Sequence, residues 1–538
     1  MAATSRYFHQ LKTISSCRLL LTHQNTWNVN HFTYSLSSSQ QSRFLSTNRA
    51  NEITENIICR ETCVDVDVGD ILEKNHVGVS GHINYRKHPG VVRRTNSSLP
   101  TRLVRAIKVL LEKYPVTSLV AKTDKLVRYL SKRQPPLNDS ELSQRTKDIE
   151  DRIFVEEGKK FANLKGSELE DALEAHRKIV LSRLRKTVYH WKPMQYDAYT
   201  SYIYLLGRIA SDFAVQMQCF TEISKRDPDF RPTSIFYHGS KVGAGIWASN
   251  EIWPNIGEHY CVDENLHMNT IARLLLQNGN EQEKVMSISG VHFRNFGPSP
   301  MQNKFSMVVS AYNLMEQSSP EDRSQIVQDL WKMTDSYLVL IEIGTGAGFK
   351  LVHEAREILL QLSEEGGDEN TESGHVFAPC PHDKACPKTR MKNQPCLTEC
   401  AMKNLDFSKK NMPEKPKTNI RYSYLIMKKR PRQNDKAWPR VLHQIKAQRH
   451  THCHLCLPCG ELQHVIISKA KYERHLYSCA RHVDQGDFLP VSLSRDPIES
   501  QEISHSPQES DSLGDQYKQP DDGSVSGDNE DGQKGRNV

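Results

Sequence analysis

Four cysteines fall within 21 positions of the stretch APCPHDKACPKTRMKNQPCLTEC, residues 378–400: Cys380, Cys386, Cys396 and Cys400. The chain of 538 residues has 13 cysteines, and seven of them lie between 380 and 459. The last three, Cys453, Cys456 and Cys459, stand in HTHCHLCLPCG. Thiols grouped in this way form disulfides, hold a metal or react. Structural zinc favours two to four residues between paired ligands, which Cys453 and Cys456 satisfy. The wider gaps from Cys380 to Cys386 and on to Cys396 suit an iron–sulfur cluster wrapped by irregular loop. Spacing alone leaves zinc and iron–sulfur level. His382, His452 and His454 could each replace a thiol, but a histidine beside such a centre more often donates a hydrogen bond to sulfur.

A second place for chemistry is FYHGSKVGAGIW, residues 236–247. A glycine-rich turn after a first strand lets a ligand approach the backbone. The next strand ends in Cys261-Val262-Asp263, where an acid can accept hydrogen bonds from both hydroxyls of a ribose. Gly239, Gly243 and Asp263 are therefore the candidate cofactor-binding residues. NAD and S-adenosylmethionine both fit, and the lack of an early GxGxxG leans towards S-adenosylmethionine. Methyltransferases of this architecture usually carry an acid where Tyr237 stands and a glycine where Lys241 stands. Lys241 could crowd a cofactor or reach its carboxylate. Where amine methylases often have Pro-Pro-aromatic, this chain has Ser310-Ala311-Tyr312-Asn313. No general base stands out there, so no catalytic residue is assigned.

A third candidate is the segment 409–450, with thirteen Lys and Arg against Glu414 and Asp435. Lys428, Lys429, Arg430 and Arg432 are its densest cluster and the candidate RNA-binding residues. Tyr422, Tyr424 and Trp438 lie among these cations and could stack on bases. Phosphate contacts release counterions, so such binding would weaken steeply with salt.

The elements that position these groups follow from periodicity. Residues 99–228 read as helical: LPTRLVRAIKVLLEKY sets Leu103, Ile107, Leu110 and Leu111 on one face. ELEDALEAHRKIVLSRLRKTVYHW does the same with Leu169, Leu173, Ile179 and Leu184. Pro228 and Pro232 close this stretch. From 233, short apolar runs alternate with helical ones, which predicts an α/β parallel sheet with helices on both faces. RYSYLIMKK at 421–429 and HVIISKAKY at 464–472 are expected to complete the sheet. The predicted organisation is a presequence at 1–48, an extended arm at 49–95, a helical domain at 96–230 and a Rossmann-like core at 231–362. A Cys-rich insertion at 363–417 follows, then C-terminal strands at 418–492 and an acidic, disordered tail at 493–538.

Charge adds a location and a partner. The first 48 residues carry Arg6, Lys12, Arg18 and Arg43 and no acid, the composition of a mitochondrial targeting segment, with cleavage expected near residue 45. The tail carries −7 and the body about +10 of the formal +7, an excess that fits an anionic partner such as nucleic acid. No window offers about 18 consecutive apolar residues, so no membrane span is expected. The mitochondrial matrix is reducing, which favours metal binding over disulfides.

Several stretches converge on one family: GSKVGAGIW, CVDENLHM, VVSAYNLME, LVLIEIGTGAGFKLVHEAR, HVFAPCPHDKACP and HTHCHLCLPCGELQHVIISK. Over roughly residues 95–492 the chain resembles the methyltransferase-like protein 17 family of mitochondrial small-ribosomal-subunit assembly factors. The resemblance implies a Rossmann-like methyltransferase fold that has lost catalysis. It implies association with the small-subunit precursor and its rRNA, in a chain that is a monomer when free. It also implies a [4Fe–4S] cluster on Cys380, Cys386, Cys396 and Cys456, with zinc as the alternative. An insertion relative to the family pattern leaves Cys400 open as the third ligand, and Cys453 remains open as the fourth.

Overall fold

The computed structural model describes residues 64–65, 84–161, 166–298, 303–365, 373–391, 394–432 and 438–493. The expected presequence, most of the arm and nearly all of the acidic tail lie outside these residues.

Five helices precede the sheet: α1 Thr101–Leu111, α2 Val116–Lys132, α3 Asp139–Phe161, α4 Ser167–Thr187 and α5 Ala198–Arg226. In α1 the expected stripe is buried, with Leu103, Ile107, Leu110 and Leu111 joined by Ala106. In α4 the stripe differs from the expected one. Ile179 is exposed, while Val180 and Leu184 are buried. From Leu184, a step of four along a 3.6-residue turn stays on one face and a step of five leaves it. Helix α5 has 29 residues, about 43 Å at the usual rise. Asp197 starts it with a capping box: its carboxylate accepts the Thr200 N–H at 2.7 Å, and its own N–H donates to the Thr200 hydroxyl at 2.9 Å. Twenty-two of its residues are buried, Arg208, Asp212 and Glu222 among them, so those charges must find partners inside the protein.

The main sheet holds β1 Ser234–His238, β2 Glu258–Val262, β3 Val291–Arg294, β4 Phe305–Ala311, β5 Thr334–Ile343, β6 His375–Ala378, β7 Thr398–Met402 and β8 Thr418–Lys428. Its order is β3-β2-β1-β4-β5-β8-β6, with β7 also paired to β8. Strands β1 to β5 run parallel, and β8 runs antiparallel to β5, β6 and β7. The crossovers are α6 Ala244–Ile252, α7 Leu266–Leu276, α8 Pro320–Met333 and α9 Gly346–Glu365. One apolar core joins α1, α2, α5, α6 and α7 to one face of the sheet, and the other packs α8 and α9 on the opposite face. Helices α1, α2 and α5 thus share the core of the sheet rather than closing one of their own.

The run at 464–472 does not extend this sheet, contrary to expectation. Strand β11, Leu462–Ser468, pairs with β10, His450–Cys456, which pairs with β9, Arg440–Lys446, in a separate antiparallel sheet. Short turns hold these strands to their sequence neighbours, and such hairpins close locally. Their inner face packs on α10, Arg474–His482, through Val441, Cys453, Leu455, Val465, Ile467 and Leu476. A buried node ties the small sheet to the large one. Arg440 donates to both oxygens of Glu222 in α5, at 2.5 and 3.0 Å, and the Tyr424 hydroxyl of β8 donates to Glu222 at 2.9 Å.

Candidate functional site

The glycine loop lies where the sequence expects it, between β1 and α6. Gly239 and Gly243 adopt φ of +70° and +79°, which glycine alone reaches without strain. The loop is pinned from below, with Gly239 and Ser240 N–H both donating to Val262 O. Asp263 is buried and works inside the loop: one carboxylate oxygen accepts the Lys241 N–H and the other the Asn265 N–H, each at 2.9 Å. Lys241 takes a left-handed φ of +49° and sets its ammonium 3.9 Å from the same carboxylate. A side chain added at Gly239 would meet Asn313, 2.8 Å away. Asn313 in turn bonds His238 at 3.0 Å. Tyr237, in the place of the usual acid, points into the core, where its hydroxyl meets Ser249 at 2.7 Å and His259 Nδ1 at 3.2 Å.

Above the loop, α5 fills the cleft with charges that pair with each other. Arg208 bonds Asp212 at 2.6 Å and lies 4.6 Å over the ring of Tyr312, and the Tyr204 hydroxyl donates to Asp212 at 2.8 Å. The free space among Asp212, Tyr237, Gly239, Lys241 and Tyr312 is about 20 Å³, room for one or two waters. The neighbouring hollow is lined by Arg133, Tyr196, Arg208, Glu316 and Glu342. Arg133 makes a two-pronged bond to Glu316. Glu342, at the end of β5, is fully buried and accepts the Leu314 N–H at 2.9 Å. Burial pushes its pKa up to about 7. Arg208, Asp212 and Glu342 are not among the residues that motif and spacing single out. Glu342 had a signal, a lone acid in the apolar run LVLIEI.

The cysteines sort into two groups. Cys380 and Cys396 lie in the loops between β6 and β7, as does Cys386, which precedes a single 3-10 turn. Cys456 ends β10. Burial raises all four thiols, Cys380 to about 11 and Cys396 to about 12. Each lies near enough to others of the set for their charges to interact, and Cys456 feels Cys380, Cys396 and Cys386. Cys400 instead points from β7 into the main core beside Cys219 and Tyr422, and Cys453 packs in the core of the small sheet. Of the two pairs left open by sequence, the structure gathers Cys396 and Cys456 with Cys380 and Cys386. Among the described residues no three His, Cys, Asp or Glu side chains converge on a single metal ion. His382 Nε2 stands 3.4 Å from Cys456 Sγ. Arg356 donates to the carbonyls of His382 and Lys384, and its charge lowers the pKa of Cys380. His452 and His454 stack with His464 on the small sheet.

Much of the basic cluster named as candidate RNA-binding residues has partners inside the fold. Lys428 pairs with Asp227 at 2.7 Å, and buried Lys429 donates to the carbonyls of Trp331 and Thr334. Arg432 grips Asp383 with two bonds, and of the four only Arg430 is exposed. A strand anchored by long cations looks the same in sequence as a strand offering them to phosphate.

Without the inserted β7, the sheet order reads 3-2-1-4-5-7-6 with the seventh strand reversed. That order and the first-turn glycine loop define the S-adenosylmethionine-dependent methyltransferase fold class. The family model described as mitochondrial small ribosomal subunit Rsm22 matches residues 198–490. A human protein named ribosome assembly protein METTL17, mitochondrial, is 35% identical over 426 residues, 77% of this chain and 90% of its own length. Rsm22-cox11 tandem protein 2, mitochondrial, of Schizosaccharomyces pombe is 25% identical over 305 residues, 50% of this chain and 40% of the tandem protein. The chain belongs to the Rsm22 family of mitochondrial methyltransferase-fold proteins. Among solved structures, magnesium protoporphyrin IX methyltransferase from Synechocystis matches at TM-score 0.24 and 12% identity, over 47% of this chain and 95% of that one. At that TM-score the likeness carries no weight, and the strand order alone defines the class. Among the described residues no helix is long and apolar enough to cross a membrane.

Proposed function

We propose that this mitochondrial protein acts in the matrix as an assembly factor of the small ribosomal subunit. It binds the immature particle and its rRNA, and it is a monomer when free. The observation that carries a binding role over a catalytic one is the cleft itself. Asp263, Arg208 and Asp212 have their partners inside the protein, and the space beside the loop holds little more than water. The mitochondrial assembly role in the name of the 35%-identical human relative supports the rest. S-adenosylmethionine at Gly239, Gly243 and Asp263 would have to displace Lys241 and Asn313, so binding is weak and turnover absent. The decisive experiment is recovery of the tagged protein from mitochondria followed by sequencing of crosslinked RNA. Enrichment of small-subunit rRNA is expected, and its absence would overturn the proposal.

The same proposal places a [4Fe–4S] cluster on Cys380, Cys386, Cys396 and Cys456. The donor chemistry fits: four buried or half-buried cysteines, drawn from two segments, sit beside the positive charge of Arg356, which favours thiolates. Bound there, a cluster supplies a crosslink between the insertion and the small sheet. The residues around it hold that geometry, with His382 against Cys456 and the Gly460 turn packed on Lys384. Anaerobic purification should give absorption near ~400 nm with labile sulfide. Stoichiometric zinc without sulfide would replace the cluster with a zinc site.

A second reading, an active rRNA methyltransferase, rests on Glu342. It is a buried acid with pKa near 7 beside the cleft, a value suited to proton transfer at neutral pH. Methylation of precursor subunits that is lost in Asp263→Ala would establish that reading.

A further inference from the structure

Helices α1 and α2 present a basic surface that the rest of the fold leaves unused. Residues 101–133 contain nine Lys and Arg against Glu112 and Asp124. Arg133 alone of the nine is buried, and it is held by Glu316. The other eight are exposed: Arg102, Arg105, Lys108 and Lys113 on or just after α1, and Lys122, Lys125, Arg128 and Lys132 along α2. Packing sets this division. The apolar side of α1 buries Leu103, Ala106, Ile107 and Leu110, so Arg102, Arg105 and Lys108, three residues apart, face solvent. The same step of three sets Lys122, Lys125 and Arg128 on the outer side of α2.

None of the eight makes an ion pair with a carboxylate among the described residues. In the cluster at 428–432, by contrast, Lys428 and Arg432 are both salt-bridged. Exposed tyrosines lie among the cations. Tyr114 precedes α2, Tyr129 lies on it, and Tyr199 sits beneath Lys122, whose ammonium is 4.8 Å from its ring centre. Unpaired cations in rows with exposed aromatic rings among them suit a chain of phosphates carrying bases. They do not suit an apolar partner, because the outward sides of both helices lack large aliphatic residues.

We infer that the outer faces of α1 and α2 are the RNA-docking surface of the protein, gripping the sugar–phosphate backbone through Arg102, Arg105, Lys108 and Lys125. This inference rests on the rRNA-binding reading above and names the surface that performs it. It moves the contact from the strand cluster at 428–432 to the helices before the sheet.

The test uses the full mature chain and a transcript of the small-subunit rRNA. The four cations are changed together, as Arg102→Gln, Arg105→Gln, Lys108→Gln and Lys125→Gln, and affinity is measured from ~50 to ~200 mM salt. Each lost phosphate contact should lower the slope of log K against log salt by about 0.7–0.9, so the slope should fall by about 3. Affinity at the lower salt should drop at least tenfold, while the melting temperature holds because none of the four is buried. A folded variant with unchanged slope and affinity would overturn the inference while leaving RNA binding intact. Failure of the unaltered protein to bind the transcript would instead overturn the rRNA reading, and this inference with it. A second variant, Arg430→Gln, should leave the slope within about one contact of the unaltered protein. If it lost as much as the helix variant, the docking surface would return to the strand cluster.

Discussion

The cleft over β1 and β4 and the group of four thiols are both clusters of reactive residues, and the fold treats them in opposite ways. In the cleft every charge is answered from inside: Asp263 by two backbone N–H groups, Asp212 by Arg208 and Tyr204, Arg133 by Glu316. The thiols have one another, His382 and the nearby charge of Arg356, and burial raises their pKa values. A site whose partners are all internal contributes its chemistry to stability. A group of thiols that share one nearby cation, Arg356, is not paired off in this way. On the reading proposed above, the methyltransferase cleft serves stability in this chain, and the inserted loops are where a cofactor would be held.

The largest expected effect would break this contrast outright. Cys396→Ser should take iron and labile sulfide from about four each per chain to near zero. Cys400→Ser should leave them unchanged, since Cys400 belongs to the main core. Equal loss in both variants, by metal analysis of anaerobically purified protein, would erase the division between them.

Next in size is Asp263→Ala. If the carboxylate serves the loop, its removal orphans the Lys241 and Asn265 N–H groups and costs about 2–3 kcal/mol, read by urea unfolding. A variant as stable as the parent but with lost cofactor binding by calorimetry would return the cleft to ligand use.

Glu342→Gln sharpens the comparison through pH. The native carboxyl holds its proton to about pH 7, whereas the unfolded chain releases it near pH ~4.3. The folded state binds more protons between these values, so stability falls as pH rises through that window and is level on either side. The parent should lose roughly 2–3 kcal/mol more than Glu342→Gln between pH ~4.5 and ~7. Parallel profiles would show that Glu342 ionises normally and that its hollow is wet.

The smallest effect is expected from Lys241→Gly. Glycine accepts the left-handed φ and removes the side chain over the loop, so stability should change by less than ~1 kcal/mol. Affinity for S-adenosylmethionine should rise by no more than about tenfold, ~1.4 kcal/mol, because Asn313 still fronts Gly239. A larger gain would mean that Lys241 alone closes the cleft.

The parallel sheet was legible because each strand is a short apolar run and each crossover a helical one, and both periods are local properties of the chain. The glycine loop was legible too, since only a positive-φ turn explains glycine at 239 and 243. The fate of HVIISKAKY was not, because an apolar strand carries no mark of which sheet it joins. The internal partners of the cation cluster at 428–432 were not legible for a similar reason. Asp227 and Asp383, its partners, are about 200 and 50 residues away in sequence.

The sequence by itself determined the element types, the order of strands and helices, the mitochondrial family and the local grouping of the thiols. These depend on side-chain type at fixed spacing. Tertiary structure alone decided which thiols meet, which cations stay free and whether the cleft is open. Those outcomes depend on partners brought together from distant segments: β10 carries Cys456 to the loop after β6, and α5 carries Arg208 and Asp212 over the glycine turn. A charge or a thiol has the same identity in either case, and only its neighbours in space determine whether its energy is already used.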